Sequence, residues 1–318
     1  MSESNIKATI FIPVYNGEKD HLKETLEAVY NQKVDFNWNL LIIDSGSRDK
    51  SLEIIKSYEQ KHKNLILKQI PNTEYSHGGT RQKAAEISEG EIMVYLSQDA
   101  IPADKNWLLN MVKPFEINPK IAGVLGKQVP RNYCFPLQKR DIDAVFNAQG
   151  PADAITIYDS SSKDRNKASF YSDVCSAARR SILIEDVPYQ SISYSEDQAF
   201  GKDIINKGYL KVYAGKATVV HSNDIQLSEY KGRIFDECLG LEKAGFILSK
   251  PRKKDLLREV VKEGIKDIKY TIRDSEYSKF QKLYYAVSAP IFRYARWSGM
   301  MAAYKHDYKN SLEEQRKK

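Results

Sequence analysis

Short apolar runs alternate with amphipathic segments through the first hundred residues of the chain. The runs at 9–13, 40–43 and 91–96 have the length of strands, and apolar residues at helical spacing follow two of them, at 18–31 and 51–62. Such alternation predicts an α/β fold with a mostly parallel central sheet and helices on both faces.

Polar or aromatic residues follow each of these strands at its carboxyl end. In an open α/β sheet, ligands bind beyond the carboxyl ends of the strands. The three strand ends carry Tyr15 and Asn16, Asp44 and Ser45, and Gln98 and Asp99. They predict one crevice that holds a base, a sugar-phosphate and a cation, and therefore an enzymatic function.

The middle of the chain is less regular. A strand is predicted at 121–129, two short strands at 210–213 and 217–220, and a helix at 198–207. The segment 133–149 is compatible with a helix or with a loop-rich connection.

The end of the chain is predicted to be helical, which divides it into a catalytic domain at 1–227 and a C-terminal extension at 228–318. One helical stripe in the extension is apolar: Leu257, Val261, Ile265, Ile268 and Ile272. A last segment, 283–304, is rich in Tyr, Ala and Met but too polar to span a bilayer. Either it lies in a membrane interface, where Tyr, Trp and Arg are favoured, or it packs on the catalytic domain.

The net charge of +7 is unevenly distributed. Residues 250–318 hold 18 Lys and Arg against 9 Asp and Glu, whereas residues 1–249 hold 31 against 33. The basic end is either a solvated helical surface or an arm that meets an anionic membrane or nucleic acid. We expect no nucleic-acid partner, because the charge avoids the crevice and no groove-reading motif occurs.

Three cysteines lie far apart, without the spacing of a zinc site: Cys134, Cys175 and Cys238. They predict a reducing compartment and no disulfide framework. The first residues are polar and no apolar run reaches the roughly 18 residues that a membrane span needs. We expect a cytoplasmic protein, or one that lies peripherally on the inner face of the cell membrane.

Five motifs occur in a set order: Pro-Val-Tyr-Asn at 13–16, Asp-Ser-Gly-Ser at 44–47, Gly-Gly-Thr-Arg at 78–81, Gln-Asp-Ala at 98–100 and Ser-Glu-Asp at 195–197. In order and spacing the chain resembles family 2 glycosyltransferases, which are inverting enzymes with the GT-A fold. His-Gly-Gly-Thr-Arg at 77–81 and Gln-Asp-Ala-x-Pro at 98–102 are typical of the bacterial rhamnosyltransferase branch. The resemblance covers roughly residues 7–225.

The resemblance implies a set of donor-binding residues: Pro13, Tyr15, Asn16, Asp44, Ser45, Gly79, Arg81, Gln98 and Asp99. Tyr15 offers a ring for a pyrimidine to stack on, and Asp44 an acceptor for the base N3–H, although a turn aspartate has the same pattern. Arg81, after Gly79, has a fork that suits phosphate oxygens; the alternative is a surface salt bridge. Gln98 is placed to hold the ribose.

The resemblance also implies Mg²⁺ or Mn²⁺ at Asp99, because a divalent cation stabilises the departing diphosphate. His221 resembles a late histidine that completes this site in the family. The branch pattern His-Ser-His reads His221-Ser222-Asn223 here, so a surface histidine that ligates nothing is the alternative.

Inverting transfer needs a general base for the acceptor hydroxyl, and Asp197 matches the base position of the family. Glu196 supports it or binds the acceptor; alternatively, both acids are favoured by the helix dipole. The Gln-x-x-Arg-Trp motif of processive relatives does not follow, which favours single-sugar transfer. Ser176 and Arg179 lie in a segment that resembles the acceptor side, or form a strand-to-helix turn.

We therefore predict an inverting glycosyltransferase that moves L-rhamnose from dTDP-β-L-rhamnose to a saccharide acceptor. The expected acceptor is a lipid-linked oligosaccharide of a bacterial surface polysaccharide. Two alternatives stay open: the same fold with a UDP-hexose or UDP-N-acetylhexosamine donor, and a non-catalytic protein that binds nucleotide-sugar or nucleic acid. The linkage and a homo-oligomeric state also stay open.

Overall fold

Nine strands form one sheet in this computed structural model, which describes residues 6–192, 194–223 and 225–312. The strands are β1 (Ala8–Val14), β2 (Trp38–Asp44), β3 (Leu65–Gln69), β4 (Ile92–Leu96), β5 (Ile101–Pro102), β6 (Ile121–Val129), β7 (Ile155–Tyr158), β8 (Cys175–Arg179) and β9 (Leu210–Val220). The helices beside the sheet are α1 (Leu22–Tyr30), α2 (Ser51–Glu59), α3 (His77–Ile87), α4 (Trp107–Val112), α5 (Pro136–Gln149), α6 (Arg165–Ser169), α7 (Arg180–Glu185) and α8 (Glu196–Asn206).

The sheet has the order β3-β2-β1-β4-β8-β6-β9-β5, and β7 pairs with β9. Strands β1 to β4 are mutually parallel, as predicted. Beyond β4 the sheet is mixed, because β8 runs antiparallel to both β4 and β6. The two short strands predicted near residues 210 and 217 are one strand, β9, with a register shift where it pairs with β6.

Strands β1, β2 and β4 are buried on both faces, so their sequences are continuous apolar runs rather than alternating ones. In β1, six of seven residues are buried. On α1 the buried stripe comprises Leu22, Leu26 and Val29, which joins the main core of the sheet. The apolar periodicity thus predicted both the strands and the faces that pack on them.

Helices α1 and α8 begin at other residues than predicted, and α8 begins at Glu196 rather than at residue 198. Helix α1 begins at Leu22, because a turn from Gly17 to Asp20 and a left-handed His21 precede it. Helix α3 begins before its glycine pair, because the Ser76 hydroxyl accepts a hydrogen bond from the Gly79 N–H at 3.2 Å and caps the helix.

The described chain divides into two compact units. The first runs to Val129 and continues over Phe146–His221; it contains the sheet. The second combines Pro130–Val145 with the described residues from Ser222 onward. Its helices are α9 (Leu227–Lys243), α10 (Lys253–Leu257), a π-helical segment (Arg258–Glu263), α11 (Gly264–Arg273) and α12 (Lys279–Tyr304), and α5 contributes residues to both units. In the described residues, no helix is long and apolar enough to cross a membrane.

The division differs from the predicted boundary between 227 and 228. Residues 130–145 belong with the C-terminal helices because ion pairs hold them there: Lys139 Nζ lies 2.8 Å from Asp274, and Arg140 pairs with Glu263 and Asp267. These pairs join residues far apart in the sequence, so apolar periodicity gave no sign of them.

Candidate active site

The carboxyl ends of β1, β2 and β4 are adjacent, since these strands are neighbours in the sheet. The residues that follow them are joined by hydrogen bonds. The Gln98 carboxamide accepts from the Tyr15 N–H at 2.9 Å and donates to the Tyr15 carbonyl at 3.3 Å. The Asn16 N–H donates to the Ser47 hydroxyl at 2.9 Å. The predicted crevice residues thus lie together.

The residues predicted to hold the base differ in exposure. The Tyr15 side chain is 44% exposed, which leaves its ring open to stacking. Asp44 has no exposed surface, and its carboxylate accepts from the Ser47 N–H at 3.0 and 3.1 Å. Ser45 is buried as well and bonds to the Val14 carbonyl. A base contact at Asp44 would require the turn to open.

Gln98 contacts protein rather than facing an open ribose site. Besides its bonds to Tyr15, its Nε2 donates to Asp20 at 2.8 Å. It therefore fixes the turn that presents Tyr15. Pro13 is the last residue but one of β1, just before this turn, and is half-buried.

Asp99 and His221 form the second feature of the site. His221 Nε2 lies 3.3 Å from Asp99 Oδ2, and both side chains are almost fully buried. His221 Nδ1 lies 3.1 Å from Gln128 Oε1, and Gln128 Nε2 donates to the Ser172 hydroxyl at 3.1 Å. Because the Gln128 oxygen can only accept a hydrogen bond, this contact places a hydrogen on Nδ1 of His221. The other ring nitrogen, Nε2, faces Asp99.

This pair fits a divalent cation in its chemistry. A neutral imidazole nitrogen and a carboxylate oxygen facing each other bring two lone pairs together, unless a proton or a cation lies between them. A hydrogen bond from the second ring nitrogen is the usual support of a metal-ligating histidine. The described residues contain no group of three or more His, Cys, Asp or Glu around a common point, so the protein would supply these two ligands.

A buried ionic cluster is the third feature, and we call Arg81, Asp173, Glu196 and Asp197 the Arg81 cluster. Arg81 Nε lies 3.0 Å from Asp173, and its Nη1 lies 2.9 Å from Glu196. The side chains of all three are at least nine-tenths buried. The Asp173 N–H donates to Asp197 Oδ2 at 3.2 Å. Asp173 also follows Ser172, which links the cluster to His221 through Gln128.

Asp197 lies in the first turn of α8, where the helix dipole faces it. The helix begins abruptly, because Ser195 has a left-handed backbone with φ of 64°. Asp197 as a residue is partly exposed. Burial and the charges of Glu196 and Asp173 raise its pKa well above the usual value, while Arg81 opposes the shift. A carboxyl with a raised pKa is a stronger base once it has lost its proton.

The cluster corrects the prediction for Arg81. Its guanidinium is committed to Asp173 and Glu196 and is buried, so it is not an open fork for phosphate. Burial would lower its pKa, but the two carboxylates raise it further. The Gly78 and Gly79 pair serves packing: a Cβ on Gly78 would lie 2.2 Å from the Gln190 carbonyl, and one on Gly79 2.5 Å from the Ser76 hydroxyl.

The structure also contradicts the predicted acceptor contacts. The Ser176 side chain has no exposed surface and donates to Asp173 at 2.6 Å. Arg179 pairs with Ile92 at the amino end of β4, away from the strand ends of the crevice, and bonds to Glu91 at 3.1 Å. In this structure the side chains of both residues contact protein.

Sequence reasoning missed Asp173 and Gln128 as parts of the site. Asp173 was not singled out from the sequence, and Gln128 was only part of the strand predicted at 121–129. Nothing in the local sequence marks either residue, because their partners lie far along the chain.

The fold resembles that of solved glycosyltransferases. The mannosyltransferase PcManGT of Pyrobaculum calidifontis, solved with GDP-Man and Mn²⁺, matches with a TM-score of 0.60 and 18% identity over 95% of this chain and 86% of its own. Residues 1–349 of TarS of S. aureus match with a TM-score of 0.53 and 17% identity, covering 95% and 92%. The chain therefore has the GT-A fold.

Comparison of the sequence identifies the family within this fold. Residues 9–186 match the family described as Glycosyl transferase family 2. The O-antigen chain rhamnosyltransferase RfbN of Salmonella typhimurium is 31% identical over 234 residues, 73% of this chain and 71% of that protein. WbaN of Salmonella anatum, also named an O-antigen chain rhamnosyltransferase, is 30% identical over 72% and 70%. The chain belongs to glycosyl transferase family 2 and is a glycosyltransferase.

Proposed function

We propose that the protein transfers one L-rhamnose from dTDP-β-L-rhamnose, with inversion, to the saccharide of a lipid-linked acceptor in surface polysaccharide synthesis. The similarity to two O-antigen chain rhamnosyltransferases over more than two thirds of the chain carries this proposal. One relative that matches over 44% of the chain is named a poly(ribitol-phosphate) beta-glucosyltransferase, and residues 1–349 of TarS were also solved with UDP-GlcNAc. A UDP-hexose or UDP-N-acetylhexosamine donor is therefore the competing assignment.

Asp197 is the proposed general base. It takes the proton from the acceptor hydroxyl as that oxygen attacks the anomeric carbon, and the bond from that carbon to the diphosphate oxygen breaks on the opposite side. The acceptor oxygen thus joins the sugar, and the nucleoside diphosphate leaves with the bonding electron pair. The partial exposure of Asp197 and its raised pKa support the role.

Glu196 and Arg81 are proposed as positioning residues. Their ion pair anchors the first residue of α8, and Asp173 holds Asp197 from the other side through its N–H. Arg81, Glu196 and Asp173 therefore orient the base without touching substrate.

Asp99 and His221 are proposed to hold Mg²⁺ or Mn²⁺, which supplies positive charge to the departing diphosphate. The facing carboxylate and imidazole support this, as does the Mn²⁺ in the complex of the structural neighbour. Gln128 holds the imidazole at Nδ1, so that Nε2 faces Asp99. The Tyr15 ring is proposed to stack on the base, while Asn16, Ser45 and a rearranged Asp44 turn complete the nucleotide site.

The test is release of nucleoside diphosphate from a panel of sugar nucleotides, with Mg²⁺ or Mn²⁺ and then with EDTA. We expect turnover of dTDP-rhamnose that EDTA abolishes. Asp99→Ala should lower the rate on the order of 10²-fold or more, because the metal contributes several kcal/mol. Asp104→Ala, an exposed aspartate nearby in sequence, is the matched control.

The outcomes separate the parts of the proposal. Turnover of a UDP-sugar in place of dTDP-rhamnose would overturn the donor assignment and keep the mechanism. Equal rates with metal and with EDTA would overturn the roles of Asp99 and His221.

A further inference from the structure

The C-terminal unit contains a pair of helices whose contact is polar. One is the continuous segment of α10, the π-helical turns and α11, and the other is α12. Arg293 on α12 donates to Asp267 on α11 at 2.7 and 2.9 Å, and pairs with Glu259 at 3.2 Å. Asp267 and Arg293 are buried. Charged groups thus lie inside the pair, where apolar residues are usual.

The outer face of the first helix is restricted in composition. Between residues 254 and 273 every exposed residue is either aliphatic or cationic. The aliphatic ones are Leu257, Val261, Ile265 and Ile272, and the cationic ones are Lys254, Arg258, Lys262, Lys266, Lys269 and Arg273. The acidic residues in this range face protein partners instead.

The outer face of α12 is apolar and aromatic. After Lys279 every exposed residue of the helix is of this kind: Phe280, Leu283, Tyr284, Val287, Ile291, Tyr294 and Tyr304. Phe280 is 87% exposed, and Leu283 and Val287 are each 66% exposed. The opposite face is occupied, since Phe292 and Ala303 are buried in clusters of this unit.

The two apolar faces lie on the same side of the helix pair. The helices run antiparallel, because Gly264 lies against Pro290 while Lys282 donates to the Ile272 carbonyl at 2.9 Å. One step forward along either of two antiparallel right-handed helices turns the side chain toward the same side of their plane. Ile265 follows Gly264, and Ile291 follows Pro290. We call the exposed apolar and cationic residues of both helices the two-helix surface.

We propose that the two-helix surface lies on an anionic lipid bilayer. A continuous apolar face of this extent is rare on a protein that has no partner there. Its flank is wholly cationic, which complements anionic headgroups, whereas a second copy of the chain would bring like charges together. Tyr284 and Tyr294 have the amphipathic rings that interfaces favour. The buried opposite face of α12 leaves one side for lipid, so the pair lies in the plane of the interface.

Flotation of the full chain with vesicles tests the inference, which does not depend on the donor assignment. We expect binding to vesicles of phosphatidylcholine with phosphatidylglycerol, and weaker binding to phosphatidylcholine alone. Replacing Phe280, Leu283 and Val287 by Ser should weaken binding to both on the order of 100-fold or more. Replacing Lys262, Lys269 and Arg273 by Ser should weaken binding to anionic vesicles on the order of 100-fold.

Matched controls use exposed residues of the sheet unit. Ile117, Ile155 and Ile157 replaced by Ser control the apolar variant, and Lys23, Lys56 and Lys83 replaced by Ser control the basic one. Donor hydrolysis by each variant reports that the chain is folded. Equal vesicle binding by wild type and variants would overturn the proposal. So would a dimer in sedimentation velocity that only the apolar variant loses, together with no vesicle binding, since a second copy would then cover the surface.

Discussion

Each unit of the protein contains an ionic cluster built around a buried charged group, and the two clusters differ in charge balance. Among the described contacts of the Arg81 cluster, one guanidinium faces three carboxyls. The second cluster, which we call the Asp267 cluster, sets Arg140, Lys266 and Arg293 against Glu259, Glu263 and Asp267. The first therefore carries surplus negative charge and the second carries none.

The pKa values of the carboxyl groups shift in the directions that this difference in charge balance predicts. In the Arg81 cluster, burial raises the pKa values of Asp173, Glu196 and Asp197 in spite of Arg81. In the Asp267 cluster burial acts in the same sense on Glu263, but Lys266 and Arg140 outweigh it and lower the pKa to about 2. A buried carboxyl beside a matched cation stays ionised and is structural, whereas one in an unmatched cluster is suited to proton transfer.

The largest expected effect is on activity. Asp197→Asn removes the proposed base and should lower kcat by about 10²–10⁴-fold, while nucleotide binding measured by calorimetry stays unchanged. Asp203→Asn on the same helix is the control, because Asp203 bonds to Gln190 outside the cluster. A variant that keeps wild-type turnover would remove Asp197 from the mechanism.

The second prediction concerns the arginines. Arg81→Met leaves buried carboxylates without their cation and should lower the free energy of unfolding at neutral pH by about 3–5 kcal/mol. Arg293→Met should cost less, because Arg140 still pairs with Asp267. Urea unfolding of both variants measures the order, and an equal or larger loss for Arg293→Met would contradict the difference in charge balance.

Features of the fold and the site that depend on neighbouring residues could be predicted from the sequence, whereas those that depend on contacts between distant residues could not. The strands and the polar residues at their ends follow from local periodicity, so Tyr15, Asn16 and Gln98 were predicted to lie together. Arg81 was assigned to phosphate, since a guanidinium beside glycines looks the same whether it binds a ligand or two carboxylates.

The same limit explains the other errors. Asp173 lies far along the chain from its partner Arg81, and no local pattern connects them. Residues 130–145 were placed in the wrong unit because the ion pairs that hold them reach past residue 260. The apolar stripe over residues 257–272 was predicted from its helical spacing, but the spacing did not show that four of its five residues are exposed.

The third prediction is that two substitutions, Asp197→Asn and Glu263→Gln, change Tm at neutral pH in opposite directions. The folded pKa of Asp197 lies above its ordinary 3.8, so the ionised group penalises the folded state as pH rises past that value. Asp197→Asn should therefore raise Tm at neutral pH, and the gain should vanish near pH 3.

The pKa of Glu263 is shifted in the reverse direction, so its contribution to stability is present above about pH 4.5 and is lost as pH falls toward about 2. Glu263→Gln should lower Tm at neutral pH, with a loss that shrinks in acid. Calorimetry across pH measures both, and effects of the same sign would refute the comparison.

The smallest effect is a shift of the pH profile. Below the pKa of Asp197 the carboxyl holds its proton and cannot accept another, so that pKa sets the acid limb of kcat/KM. After burial, the charge of Glu196 is the largest cause that raises this pKa. Glu196→Gln removes the charge and should move the acid limb to lower pH, whereas a purely structural role for Glu196 would lower the rate at every pH and leave the limb in place. Donor hydrolysis as a function of pH distinguishes the two, with Asp203→Asn as a variant that should not move the limb. If the limb moves to higher pH instead, the charge of Glu196 does not raise the pKa of Asp197, and burial and the charge of Asp173 are the causes that remain.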